Sequence, residues 1–186
     1  MKKFLIVTGV VLLIIIAVLA YFRLFYTKSF SPETVAAYEA DGLKISVYYN
    51  RPSKKGRLIF GEKKDNALVP WGKVWRTGAN EASTFETNQD LNIAGKKLPA
   101  GKYSFWTMPG EQTWTIMFNS EIPSWGVDFN AEANRNPKTD VVSVDVPVVI
   151  QDKEFEQFTI SIEKADEELE LILLWDKTLV AVPINK

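Results

Sequence analysis

Leu43-Lys44-Ile45-Ser46-Val47-Tyr48-Tyr49 and Thr113-Trp114-Thr115-Ile116-Met117-Phe118 carry the period on which the fold class rests. In the first, Leu43, Ile45, Val47 and Tyr49 alternate with Lys44, Ser46 and Tyr48. In the second, Trp114, Ile116 and Phe118 alternate with Thr113, Thr115 and Met117. A period of two is that of an extended chain with one face turned inward. The same reading predicts strands near Leu58–Phe60, Ser83–Thr87, Leu91–Ile93, Lys102–Thr107, Val141–Val146, Phe155–Ile162, Glu168–Trp175 and Leu179–Ile184. Ala94-Gly95-Lys96, Pro109-Gly110 and Asp176-Lys177 supply turn chemistry between them. Many short strands separated by turns predict an all-β domain, an antiparallel β-sandwich of jelly-roll type.

Only Ser31–Ala40 reads as helical within the exported part, with Ser31 as cap, Pro32 in the first turn and Gly42 as the stop. Upstream, Met1, Lys2 and Lys3 precede an uncharged run from Phe4 to Phe22. As a helix this run extends about 28 Å, close to the hydrocarbon thickness of a bilayer. The division expected is therefore 1–30 as membrane anchor and flank, 31–40 as a short juxtamembrane helix or linker, and 41–186 as the β domain. The positive N-terminus predicts a single transmembrane helix in the inner (cytoplasmic) membrane, with the chain beyond Arg23 on the periplasmic, extracytoplasmic side. The competing reading is a cleaved signal peptide, for which Val18-Leu19-Ala20 offers a processing site.

The chain has no Cys and no His. Thiol nucleophiles, disulfides, Cys-ligated metals, Ser-His-Asp triads, HExxH zinc sites and imidazole proton shuttles are excluded. Neither a GxGxxG after a strand nor a GxxxxGK[ST] loop is present. No metal and no cofactor is expected. Lys and Arg dominate residues 41–110, most densely in a basic 51–64 loop, and acids dominate 111–186. A domain that is acidic outside one loop and lies beyond a membrane is not expected to bind nucleic acid.

Two segments break the strand rhythm and carry the candidate site: Gly61–Gly78, and Trp125–Thr139, which reads WGVDFNAEANRNPKT. Trp71 and Trp75 either clamp a flat ligand such as a sugar ring or cover the end of the sandwich. Arg76, beside Thr77, Asn80 and Glu81, either holds a carboxylate or phosphate or pairs with Glu81 or Glu86 to pin the loop. Glu81, Glu86 and Asp128 are the candidate acid and base of a glycosidase-like site. Trp125, followed by Gly126, opens the irregular loop as a stacking platform. Trp114 and Trp175, in alternating strands, belong to the core.

The segments RPSKKGRLIFG (51–61), LVPWGKVWRTGANEASTFET (68–87), LPAGKYSFWTMPGEQTWTIMFN (98–119), SWG (124–126) and LLWDKTLVAVPI (173–184) together resemble a bacterial family, the domain of unknown function 2911. The resemblance runs from about Asp41 to Ile184, and its most specific element is GKVWRTGANEA, Gly72–Ala82. It implies an exported or surface β domain and transfers no catalytic residue. Similar members usually begin with a signal peptide or lipid anchor, and the apparent membrane helix here departs from that. The leading functional expectation is a membrane-tethered binding module for a small polar or saccharide ligand between the 61–82 excursion and the 125–139 loop. A carboxylate-dependent hydrolase is one alternative. The other is a structural or partner-binding envelope protein using the basic loop or the acidic EKADEELE segment, 163–170.

Overall fold

The computed structural model describes residues 1–165 and 168–186; Asp166 and Glu167, at the centre of the acidic EKADEELE segment, lie outside the described residues. A helix, α1, spans Lys2–Phe30 and is long and apolar enough to cross a membrane, with none of its most apolar stretch buried against protein. Its turn over Phe22–Tyr26 is widened to π-helical geometry.

Among the described residues eleven strands follow in chain order: β1 Glu33–Ala40, β2 Leu43–Asn50, β3 Phe60–Gly61, β4 Val69–Pro70, β5 Ser83–Thr87, β6 Leu91–Ile93, β7 Lys96–Leu98, β8 Gly101–Met108, β9 Thr113–Asn119, β10 Asp140–Ala165 and β11 Glu168–Asn185. Nine form one antiparallel sheet in the order β1-β2-β5-β8-β9-β10-β11-β6-β7, and β3 pairs with β4 in parallel. β10 belongs to both halves of this sheet. Asp140–Pro147 pairs with β9, and Val148–Ala165 pairs with β11. The halves pack into one core, in which Ile45, Val47, Phe85, Phe105, Ile116 and Phe118 meet Phe158, Leu171, Trp175, Val182 and Ile184. The inward face read in the sequence holds here: Leu43, Ile45, Val47 and Tyr49 are buried, as are Trp114, Ile116 and Phe118; Met117, expected on the outward face, is buried as well, in a second small cluster with Ala82 and Trp106.

The helix expected over Ser31–Ala40 is replaced by β1. Its register runs from Glu33 opposite Asn50 to Ala40 opposite Leu43. Asp41 and Gly42, both at positive φ (51° and 77°), close a two-residue hairpin. Gly42 is thus a turn residue, not a helix stop. Ala36 and Tyr38 pack on the core while Glu33, Val35, Ala37 and Glu39 face out, so a weak period of two, reinforced by a full ladder to β2, prevails over the helix propensity of alanine.

The four strands expected between Val141 and Ile184 are two long ones. The ladder between β10 and β11 shifts register between Ile150 and Phe155 and again between Phe155 and Thr159, and Asp176 takes a positive φ of 53° opposite Phe155. Asp176-Lys177 is therefore an irregularity within a continuous strand, and it bends the ribbon without ending it.

Candidate functional site

The Gly72–Ala82 block is a short extended segment followed by a strained turn. Trp75 exchanges both backbone hydrogen bonds with Thr107 of β8 (2.7 and 3.0 Å). Extended geometry then sends the side chains of Trp75 and Arg76 to opposite sides. Trp75 goes inward. It stacks on Trp175 with ring centroids 5.8 Å apart, packs against Trp114, Phe158 and Phe60, and donates its indole N–H to the Gly78 carbonyl at 2.9 Å.

The turn itself is costly. Thr77, a β-branched residue, sits at φ 52°, and Asn80 at φ 58°. Gly78, at φ 152°, lies where a Cβ would come within 2.9 Å of the Asn50 carbonyl oxygen. Thr77 is fully buried, contacts the Thr107 hydroxyl at 3.2 Å, and its carbonyl accepts from the Ser83 hydroxyl at 2.8 Å. Strain of this kind persists only where the surroundings over-determine it, and here it fixes the direction in which Arg76 leaves the chain.

Arg76 makes no hydrogen bond and no salt bridge among the described residues, and its Nε is shielded from solvent with no partner. The ion pair with Glu81 or Glu86 is not formed. Burial pushes the guanidinium down from its ordinary value, with no carboxylate to oppose it. The aliphatic stem lies directly on Gly126, where a Cβ would fall 2.1 Å from Arg76 Cδ and 2.7 Å from its Cβ.

Arg76 lines two cavities. The larger, about 620 Å³, is walled by Leu68, Val69, Trp75 and Trp175 of the domain and by Tyr26, Thr27 and Phe30 of α1. Its charged lining residues are Lys55, Arg57 and Arg76, without any carboxylate. The smaller, about 310 Å³, lies between the 61–82 excursion and the loop after β9, with Lys63, Lys73, Val127, Asn130 and Glu132 in its wall. Asn80 is buried in the first wall, its side-chain amide 3.5 Å from both Asn50 Oδ1 and the Thr27 carbonyl.

The remaining candidates are dispersed. Trp71 is separated from Trp75 and covers a different, smaller hollow beside Phe60, Trp114 and Asp176. Trp125 lies under Arg23 of α1, whose guanidinium carbon is 5.3 Å from the ring centroid and which donates to the Ser124 carbonyl at 3.0 Å. Glu81 accepts from the Asn50 amide at 3.1 Å and lies 3.6 Å from Lys28. Glu86 is exposed on β5, 3.6 Å from Lys102. Asp128 accepts from the backbone N–H groups of Asn130 (2.8 Å) and Glu132 (3.1 Å), which shapes its own exposed loop. None of these three carboxylates lines the cavities at Arg76. Much of the basic 51–64 loop is internally engaged. Arg51 donates to Phe158 O and Thr159 Oγ1, Lys54 bridges Asp176 and Glu154, and Arg57 donates to the carbonyls of Ser53 and Lys54.

Lys55, Arg57 and the helix wall from Tyr26 to Phe30 were not legible as site residues. Lys55 and Arg57 stood out only as part of the basic 51–64 loop, nothing local marks the helix wall, and all of them meet Arg76 only through the fold. A mostly-β domain behind an apolar helix, with an arginine unpaired among the described residues on the wall of a cavity of about 620 Å³, defines a class by architecture and not by chemistry. Over residues 31–184 the chain matches, and belongs to, the family of proteins of unknown function DUF2911. No curated protein and no solved structure matches it.

Proposed function

We propose that this protein is a binding module tethered to the inner membrane by Phe4–Phe22, with its β domain on the extracytoplasmic side, and that its ligand is a small polar molecule bearing a negative charge. The observation that carries this reading is Arg76: a guanidinium held by a strained turn on a cavity wall, with no counter-ion among the described residues. Arg76 is half-buried, with its Nε shut off from solvent; leaving such a partly desolvated charge unpaired costs stability, and a protein sustains that cost where a ligand completes the site. Lys55 and Arg57 in the same wall favour the same sign of ligand. The dispersal of Glu81, Glu86 and Asp128 supports binding over hydrolysis, since a carboxylate pair must face one substrate across a few ångströms.

The test is a thermal melt of the full chain, wild type and Arg76→Met, with and without a panel of saccharides and anionic metabolites. An anionic compound should raise the melting temperature of wild type and leave that of Arg76→Met unchanged. Equal shifts in both proteins, or none in wild type, would contradict the binding reading.

A further inference from the structure

The larger cavity at Arg76 is apolar through most of its wall and positive at a few points. Lys55 is held over the Phe30 ring at 4.8 Å and joins no salt bridge among the described residues. Arg57 reaches only carbonyl oxygens. A purely polar anion would therefore leave Leu68, Val69, Trp75 and Trp175 without a complementary partner, while a neutral apolar ligand would leave Arg76 unpaired.

Position narrows the choice further. Tyr26 and Phe30 lie four and eight residues beyond Phe22, about 6 and 12 Å along a helix. If Phe4–Phe22 fills the hydrocarbon layer, Tyr26 stands at the outer edge of the headgroup zone, about 5–7 Å deep in each leaflet, and Phe30 a turn above it. The α1 wall of the cavity thus stands at the membrane surface. Its volume of about 620 Å³ suits a ligand of drug size and hence a single chain, not a two-chain lipid.

We propose that the ligand is a single-chain anionic amphiphile taken from the membrane surface, its charged head on Arg76 and its chain against Trp75 and Trp175. This rests on the reading of Arg76 as a binding residue given above. It adds the apolar half of the ligand and the bilayer as its source.

Tryptophan fluorescence tests it, because Trp75 and Trp175 line the cavity and α1 contains no Trp. The full chain carrying Trp125→Phe, which removes the indole beside Arg23, is placed in zwitterionic nanodiscs and titrated with a chain-brominated C16 carboxylate or the matching neutral alcohol. The expected result is saturable quenching by the carboxylate alone. Arg76→Gln should raise the half-saturating concentration by at least about tenfold. Lys55→Glu, at an exposed rim position, should raise it as well. Equal quenching by the alcohol, or carboxylate quenching indifferent to both substitutions, would overturn the proposal. A wild-type melt raised by a short soluble dicarboxylate, without quenching by the brominated carboxylate, would overturn the amphiphile and leave the binding reading standing. Failure of both would remove both.

Discussion

Gly126 has no room for a side chain, because Arg76 already occupies the space its Cβ would fill. Gly126→Ala should displace the arginine stem and cost about 1–3 kcal/mol, read as a lower melting temperature; an unchanged melt would show that the contact is not tight. Arg76→Met should behave differently. It removes a desolvated, unpaired charge and keeps the aliphatic stem on Gly126, so stability should stay within about 1 kcal/mol of wild type. A loss near 3 kcal/mol would reveal an ion pair that the structure does not contain. Tyr48 offers a pH test at the junction of α1 and the domain. Burial, and then the hydrogen bond its hydroxyl donates to Glu33 (2.7 Å), push its ionisation from the usual 10.0 up to about 12. The folded chain therefore keeps a proton that the unfolded chain loses first. This contribution is intact below pH 10 and disappears as pH rises through about 12. Tyr48→Phe should flatten the alkaline fall in melting temperature over that window, and an identical slope would deny the burial of Tyr48. At this scale the sequence made Arg76 a candidate, since a guanidinium in turn-like sequence is unusual. Its lack of a partner was not legible, because neighbours in space are set by β8 and the 124–134 loop, far off in the chain.

Alternation governs the strands, and its consequence is sharp at β9. Ile116 is fully buried, whereas Thr115 points out and donates to Asp145 on β10 at 2.6 Å. Ile116→Asp should unfold the domain by burying an unpaired carboxylate, and Thr115→Asn should shift the melt only slightly. Equal losses in the two would remove the assignment of faces. β1 carries the complementary test. Removing residues 1–30 should leave a folded domain, while removing 1–40 should strip β2 of its ladder partner and lower the melting temperature markedly. Equal stability of the two truncated chains would mean that β1 is dispensable, as a linker would be. The strands with strong alternation were legible for a simple reason: half their residues enter one core. β1 was not, because its inward residues are Thr34, Ala36, Tyr38 and Ala40, too small and mixed to mark a face, and because Asp41-Gly42 serves a helix end or a hairpin equally well in sequence. Asp176-Lys177 misled in the same way, since the residues that build turns also build bulges.

For the whole molecule, the apolar helix, the mostly-β domain and its family membership were all legible, because length, period and a run of dissimilar residues are properties of the chain itself. The cavity was not, since Tyr26, Lys55, Arg76 and Trp175 are assembled from four separate stretches. The tether is tested by cell fractionation with N-terminal sequencing. The account expects the intact chain in the membrane fraction, and a soluble protein beginning at Tyr21 would mean a cleaved signal peptide. The decisive experiment on Arg76 is native mass spectrometry of the full chain released gently from its membrane, because a site built around an unpaired, half-buried arginine should retain what it binds. Wild type should carry an additional mass that is lost on collisional activation as an anion and is missing from Arg76→Met. The bare polypeptide mass in both proteins, or the same adduct in both, would contradict the binding reading.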